Sequence, residues 1–185
     1  MKYLFYAANP EQKDMGALTI DVQYRWTLWK PSLSSIVPDR FSFTPFTVWW
    51  TFHHLHIFSS SDYGILIVHK GETLVHRSCV FPRYFRFPFM TAFDLQIGDI
   101  WTAPAHRGGG LATFAIEKII ELHQRPGREF WFVVEDNNKP SIRAAEKAGF
   151  KKFGEGIRTK RFGMKVFGAY VILENSFKTC NSYDG

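Results

Sequence analysis

The stretch 98–112, GDIWTAPAHRGGGLA, restricts what this chain can fold into more than any other. Residues 98–103 read as the end of a strand, and Leu111, Ala115, Ile116, Ile119, Ile120 and Leu122 then place an apolar stripe on a helix. Between strand and helix stands Arg107-Gly108-Gly109-Gly110. Glycine has no Cβ, so three in succession let backbone N–H groups crowd around a ligand, and the helix N-terminus behind them adds partial positive charge. A phosphate or diphosphate is the ligand such a turn is expected to hold.

A strand at residues 130–135 follows, then Asn138-Lys139-Pro140-Ser141, then Glu146-Lys147-Ala148-Gly149-Phe150. Together with Arg107-Gly108-Gly109-Gly110-Leu111-Ala112 this order resembles the GNAT acyltransferases. Those six residues fit the family's Arg/Gln-x-x-Gly-x-Gly/Ala signature, and Trp101-Thr102-Ala103-Pro104 is similar to the strand end and proline that precede it. The resemblance covers residues 63–155; residues 1–60 match no motif.

The resemblance implies an α/β fold with a central, mixed, mostly antiparallel twisted sheet flanked by helices. It also implies transfer of an acetyl or short acyl group from acetyl-CoA, or another short acyl-CoA, to a small acceptor, with an amine as the expected nucleophile. Arg107, Gly108, Gly109, Gly110, Leu111 and Ala112 would hold the diphosphate, mostly through backbone N–H groups, with Trp101 and Thr102 beside the pantetheine. Asn138 and Ser141 match positions that touch the cofactor, although both also suit the cap of a short helix. One position departs from the family: many members carry a proton-donating Tyr four residues after the Ser, and here Ala145 stands there. O-acylation of a sugar hydroxyl and a non-catalytic acyl-CoA sensor are the alternatives this leaves open.

At 185 residues the chain is expected to form one domain, 1–185, with enough residues for a core that needs no staples. A formal charge of +6 favours an anionic partner without naming it. Nucleic acid is not expected, because no arginine-rich run or recognised binding motif is present. Cys79 and Cys180 are too few and too distant for a metal cluster, so no metal is expected. No run approaches the ~20 apolar residues of a membrane span, and the expected compartment is cytoplasmic. A homodimer is compatible with the sequence.

In chain order, residues 3–8 suit a short strand, and residues 22–28 alternate Val22, Tyr24, Trp26 and Leu28 against polar neighbours, as a half-buried strand does. Residues 31–43 read as a loop. Thr44 as cap and Pro45 at the first position then start a helix that should reach about Phe58. A hairpin follows over residues 64–69 and 73–80. Residues 81–90, FPRYFRFPFM, read as a loop over the sheet, with Arg83, Tyr84, Arg86 and Phe89 offering an aromatic and basic surface. Residues 95–103 and 130–134 read as strands, and a helix is expected to run from the glycines to about Gln124. A helix over residues 141–148, a closing hairpin over 150–153 and 165–173, and a polar tail from Glu174 complete the chain.

With 19 Phe, 6 Trp and 7 Tyr the chain is unusually aromatic, which fits a flat substrate surface or simply aromatic packing. By the resemblance the helix after Thr44 borders the acceptor; its aromatic residues and the 83–89 loop suggest a flat, anionic acceptor such as a nucleotide-linked amino sugar of surface-polysaccharide synthesis, with Trp50, His54, Arg83 and Arg86 as the expected contacts. Direct transfer needs a base or a water relay. Asp99, sharing strand parity with Ile97 and Trp101, is the first candidate, and His76 the second, because imidazole titrates near neutral pH.

Overall fold

GILIVHK at residues 64–70 and FWFVVE at 130–135 are nearly continuous apolar runs, and such strands are stable only when both faces of their sheet are covered. Both are. The computed structural model describes residues 1–10, 20–38, 43–164 and 167–175. In order these form β1 (Lys2–Ala8), β2 (Tyr24–Trp29), α1 (Phe43–His54), β3 (Gly64–Lys70), β4 (Thr73–Pro82), β5 (Leu95–Thr102), α2 (Leu111–His123), β6 (Phe130–Glu135), α3 (Lys139–Lys147), β7 (Lys151–Arg158) and β8 (Tyr170–Asn175).

The strands make one eight-stranded sheet in the order β2-β3-β4-β5-β6-β1-β7-β8. Every neighbouring pair is antiparallel except β5 and β6, which α2 joins as a crossover. This is the expected mixed, mostly antiparallel sheet flanked by helices. The strand at residues 2–8 holds a central place in it, between β6 and β7.

One face is aliphatic. Ile116, Ile119 and Ile120 of α2 and Ala145 of α3 bury themselves against Leu66, Val80 and Ile97 of the sheet. Each fully buried isoleucine contributes about 1.5–3 kcal/mol. The helical period selects 116, 119, 120 and 123, so Leu122 falls off the stripe and is 44% exposed, while His123 points inward. The opposite face is aromatic: Phe46 of α1 packs with Phe58, Tyr63, Phe81, Tyr84, Phe87 and Trp131, mostly edge to face.

Several expectations are corrected. β2 begins at Tyr24, and Val22 lies in the preceding turn, 99% exposed. α1 begins at Phe43, so Thr44 and Pro45 fall inside it, and it ends at His54 rather than Phe58 because His56 adopts a left-handed conformation, φ 54°. β4 continues to Pro82. The loop after it lies over the sheet as expected, with Tyr84, Phe87 and Met90 buried in the aromatic layer, Arg86 and Phe89 half-buried, and Arg83 exposed. α3 begins at Lys139, and β7 extends to Arg158. Of the expected loops and ends, residues 11–19, 39–42, 165–166 and 176–185, which include Cys180, lie outside the described residues.

Candidate active site

β5 and β6 pair only through Leu95–Phe130, Gln96–Trp131 and Ile97–Phe132. Beyond Ile97 the two strands part, and β5, still paired with β4 on its other edge, continues toward Thr102, a short 3-10 turn at Pro104–His106, and the glycines. Arg107 is extended, and Gly108 and Gly110 both have φ of 83°, which only glycine adopts freely. A Cβ at Gly108 or Gly110 would meet nothing within 4 Å, so the turn faces open space. The first bond of α2 runs from Phe114 N–H to Gly110 O at 2.9 Å. The N–H groups of Leu111, Ala112 and Thr113 therefore have no partner inside the helix and are available to an anion.

The exposed Arg107 folds back on the chain: its Nε donates to Thr102 O at 3.1 Å, bracing the turn against the end of β5. Asn138 caps α3, its Oδ1 accepting from Ser141 N–H at 3.3 Å. Local capping is thus the interaction both residues make here.

The two base candidates lie on opposite faces of the sheet. Between Arg77–Trp101 and Cys79–Gly98 the register of β4 and β5 shifts, with one residue on β4 facing two on β5, Asp99 and Ile100. Ile97 and Ile100 join the aliphatic face, while Asp99 turns to the other side, where Arg77 Nη2 donates to its Oδ1 at 3.3 Å and the Cys79 thiol reaches its Oδ2 at 3.7 Å. The expected shared parity of Asp99 with Ile97 is therefore broken by the bulge. Asp99 itself sits at φ 47°, a left-handed residue that is not glycine, with its side chain 43% exposed. The Arg77 guanidinium also stacks 5.5 Å from the Phe46 ring, which puts this ion pair under α1.

His76 lies beneath α2, fully buried. Its Nδ1 bonds Thr102 Oγ1 and its Nε2 bonds Ser78 Oγ, both at 2.8 Å. Burial pushes its pKa down to about 4. A neutral ring with both nitrogens committed to hydroxyls is a structural tie, and the role of base does not fit it. Asp94, at the start of β5, caps a turn, accepting from Thr91 N–H at 2.7 Å and from Trp131 Nε1 at 3.3 Å.

Of the four acceptor candidates Trp50 and His54 touch each other, and Arg83 and Arg86 make their contacts elsewhere. Trp50 and His54 stack on one another, centroids 4.3 Å apart, and Trp50 Nε1 donates to Ser32 O. Arg86 lies over Trp49 and Tyr84, at 5.5 and 5.6 Å from their centroids, where it packs the aromatic layer. Arg83 is exposed, and its backbone carbonyl accepts from Ser59 N–H. Among the described residues no cluster of three or more His, Cys, Asp or Glu could hold a metal ion.

A family model described as acetyltransferase (GNAT) family matches residues 26–150, more than half of the sequence. The chain belongs to the GNAT acetyltransferase family. Solved structures share its fold: a GCN5-related N-acetyltransferase from Sphaerobacter thermophilus superposes with TM-score 0.58 at 16% identity, over 83% of this chain and 49% of that one. A tandem GNAT protein from the clavulanic acid biosynthesis pathway gives 0.56 at 14%, over 82% and 50%. The yncA protein of Salmonella typhimurium, solved with its cofactor acetyl-CoA, gives 0.50 at 15%, over 75% and 87%. This chain spans about half the length of the first two. A search of curated proteins found no match.

The GNAT donor, acetyl-CoA, fits the residues present. Its diphosphate requires N–H donors and no side chain in the way, which the glycine turn with its open left-handed positions and the first turn of α2 provide. The family's Tyr position is different in kind: Ala145 is fully buried in the aliphatic core, so α3 offers no proton donor there. Sequence reasoning missed Arg77, whose pairing with Asp99 depends on the bulge, and Tyr24, whose hydroxyl bonds His106 Nδ1 at 3.0 Å across the fold.

Proposed function

We propose that this chain moves an acetyl or similar short acyl group from acyl-CoA to the amine of a small acceptor, with residues 1–185 acting as one unit. The observation that carries this reading is the parting of β5 from β6 after Ile97, with the glycine turn at one end of β5 and Asp99 along it. Bound acetyl-CoA supplies a thioester carbonyl and a thiol of pKa about 8.5, a tolerable leaving group without an acid at position 145. The backbone N–H groups around Gly108–Gly110 orient that donor. Asp99 draws the acceptor's ammonium to the α1 side of the sheet, and the proton that must leave before attack passes to its carboxylate or to water.

A nucleotide-linked amino sugar is the finer proposal for the acceptor, supported by the net charge of +6 and the exposed Arg83. A cytoplasmic setting fits the free, buried thiol of Cys79. No helix among the described residues is long and apolar enough to cross a membrane.

The test is mass-spectrometric detection of product from acetyl-CoA with amino-sugar nucleotides, free amino sugars, polyamines and peptides. Exclusive acetylation of peptides or polyamines would remove the sugar assignment, and absence of turnover with every acceptor would remove the enzyme reading. An NMR spectrum of the product separates amide from ester. Asp99→Asn is expected to lower kcat by about 10²-fold while leaving CoA affinity unchanged.

A further inference from the structure

The glycine turn has no means of holding its own shape. Gly108 and Gly110 carry no side chains, and no atom approaches within 4 Å of where a Cβ would be. The far side of the turn is fixed by Leu111, buried at the start of α2. Its near side, His106 and Arg107, is half-buried and exposed; the Tyr24 side chain of β2 holds His106, and Arg107 is tied to the backbone carbonyl of Thr102, whose hydroxyl His76 holds. We propose that Tyr24 and His76 are positioning residues for the donor's diphosphate, holding the turn in its N–H-presenting shape from opposite sides; this rests on the acyl-CoA reading above.

The first brace comes from the sheet edge. Tyr24 of β2 bonds His106 Nδ1 through its hydroxyl at 3.0 Å, with the two rings edge to face at 5.8 Å. β2 is itself tied to the helix behind the turn, because Lys118 of α2 lies 5.3 Å over the Trp26 ring. Tyr24 therefore reaches the turn from a strand that also contacts α2, and the bond ties the start of the turn to the element that contacts the helix behind it.

The second brace comes from within. Ser78 Oγ, His76, Thr102 Oγ1 and, through the Thr102 carbonyl, Arg107 Nε form a continuous chain with links of 2.8, 2.8 and 3.1 Å. Neutral imidazole donates through one nitrogen and accepts through the other, so it can satisfy both hydroxyls at once. With its pKa pushed down to about 4 by burial, His76 keeps that form throughout the neutral range. Backbone bonds complete the scaffold: Ala103 N–H to Val75 O, His106 N–H to Ala103 O and Arg107 N–H to Pro104 O. None of these groups needs to touch the donor. They remove alternative shapes of a glycine segment whose ordering would otherwise cost conformational entropy on binding.

Tyr24→Phe removes one oxygen from a half-exposed residue and tests the edge brace without disturbing the core. Calorimetry with CoA and with acetyl-pantetheine, which lacks the diphosphate, separates positioning from general damage. The expected result is a CoA Kd raised about three- to tenfold, the worth of one hydrogen bond, with acetyl-pantetheine affinity unchanged. Ser78→Ala, which deletes the hydroxyl at the far end of the His76 tie and leaves Thr102 and Arg107 intact, is expected to show the same selective loss. Amide hydrogen exchange on the ligand-free protein should be faster at residues 107–110 in both variants. Wild-type CoA affinity in Tyr24→Phe, or equal losses for CoA and acetyl-pantetheine, would overturn the proposal. If the wild-type protein takes up no CoA, the acyl-CoA reading fails by itself, and unchanged exchange at the turn would then overturn the brace.

Discussion

Each face of the sheet buries a polar ring, His76 on one and Tyr63 on the other, and the two are treated in opposite ways. On the helix face a buried histidine has both ring nitrogens bonded and links a strand to the glycine turn. On the aromatic face the Tyr63 hydroxyl, equally buried, has no hydrogen-bond partner among the described residues, and its burial first, then the nearby Cys79 and Asp99, push its pKa upward. The His76 ring is fully satisfied, whereas the Tyr63 hydroxyl is an unmet polar group near the exposed Asp99–Arg77 pair. The difference suits a molecule that presents a fixed grip to one substrate and a wettable wall to another.

The sharpest way to break this contrast is to cut the aliphatic layer. Ile116→Ala leaves a cavity beneath α2 where nothing can collapse into it, and urea unfolding should show a loss of about 2–5 kcal/mol. A loss under about 1 kcal/mol would mean that this face is as adaptable as the other.

Acid comes next. His76 titrates near 6.5 in the unfolded chain and at about 4 when folded, so on lowering pH the unfolded chain takes up the proton first. The stability it contributes is whole above pH 6.5 and drains away toward pH 4, by roughly 3 kcal/mol. His53 and His123, also lowered by burial, add in the same direction. Denaturant midpoints measured between pH 7 and 4.5 that do not move would show that the imidazole is hydrated and the tie is loose.

The smallest effect sharpens the comparison from the other side. Tyr63→Phe removes a buried hydroxyl that has nothing to bond, so thermal unfolding should show a gain of up to about 1 kcal/mol. A loss of that size would place a bound water on the aromatic face and make the two faces alike.

The same division explains what could be read from the chain beforehand. α2 was legible because its stripe repeats every three to four residues, and the turn because three glycines before such a stripe have few other uses. Asp99's side was not legible: an inserted residue reverses parity, and no local pattern announces a bulge. Residues 83–94 form neither helix nor strand, yet Tyr84, Phe87 and Met90 form part of a core, because two successive turns, Phe87 N–H to Tyr84 O and Met90 N–H to Phe87 O, bring them inward, and the prolines around them hide that spacing. His76 looked like a base from its residue type; only the register that sets it opposite Thr102 reveals a tie.

The place of β1 has a consequence for how the molecule is made. Tyr3 pairs with Glu135 and Lys2 with Ile157, so the sheet cannot close until most of the polypeptide has left the ribosome. Until then KYLFYAA waits as an apolar ribbon with both edges bare, and contacts of such long sequence separation form slowly. The newborn chain should thus need shelter by chaperones during synthesis far more than the finished fold does afterwards.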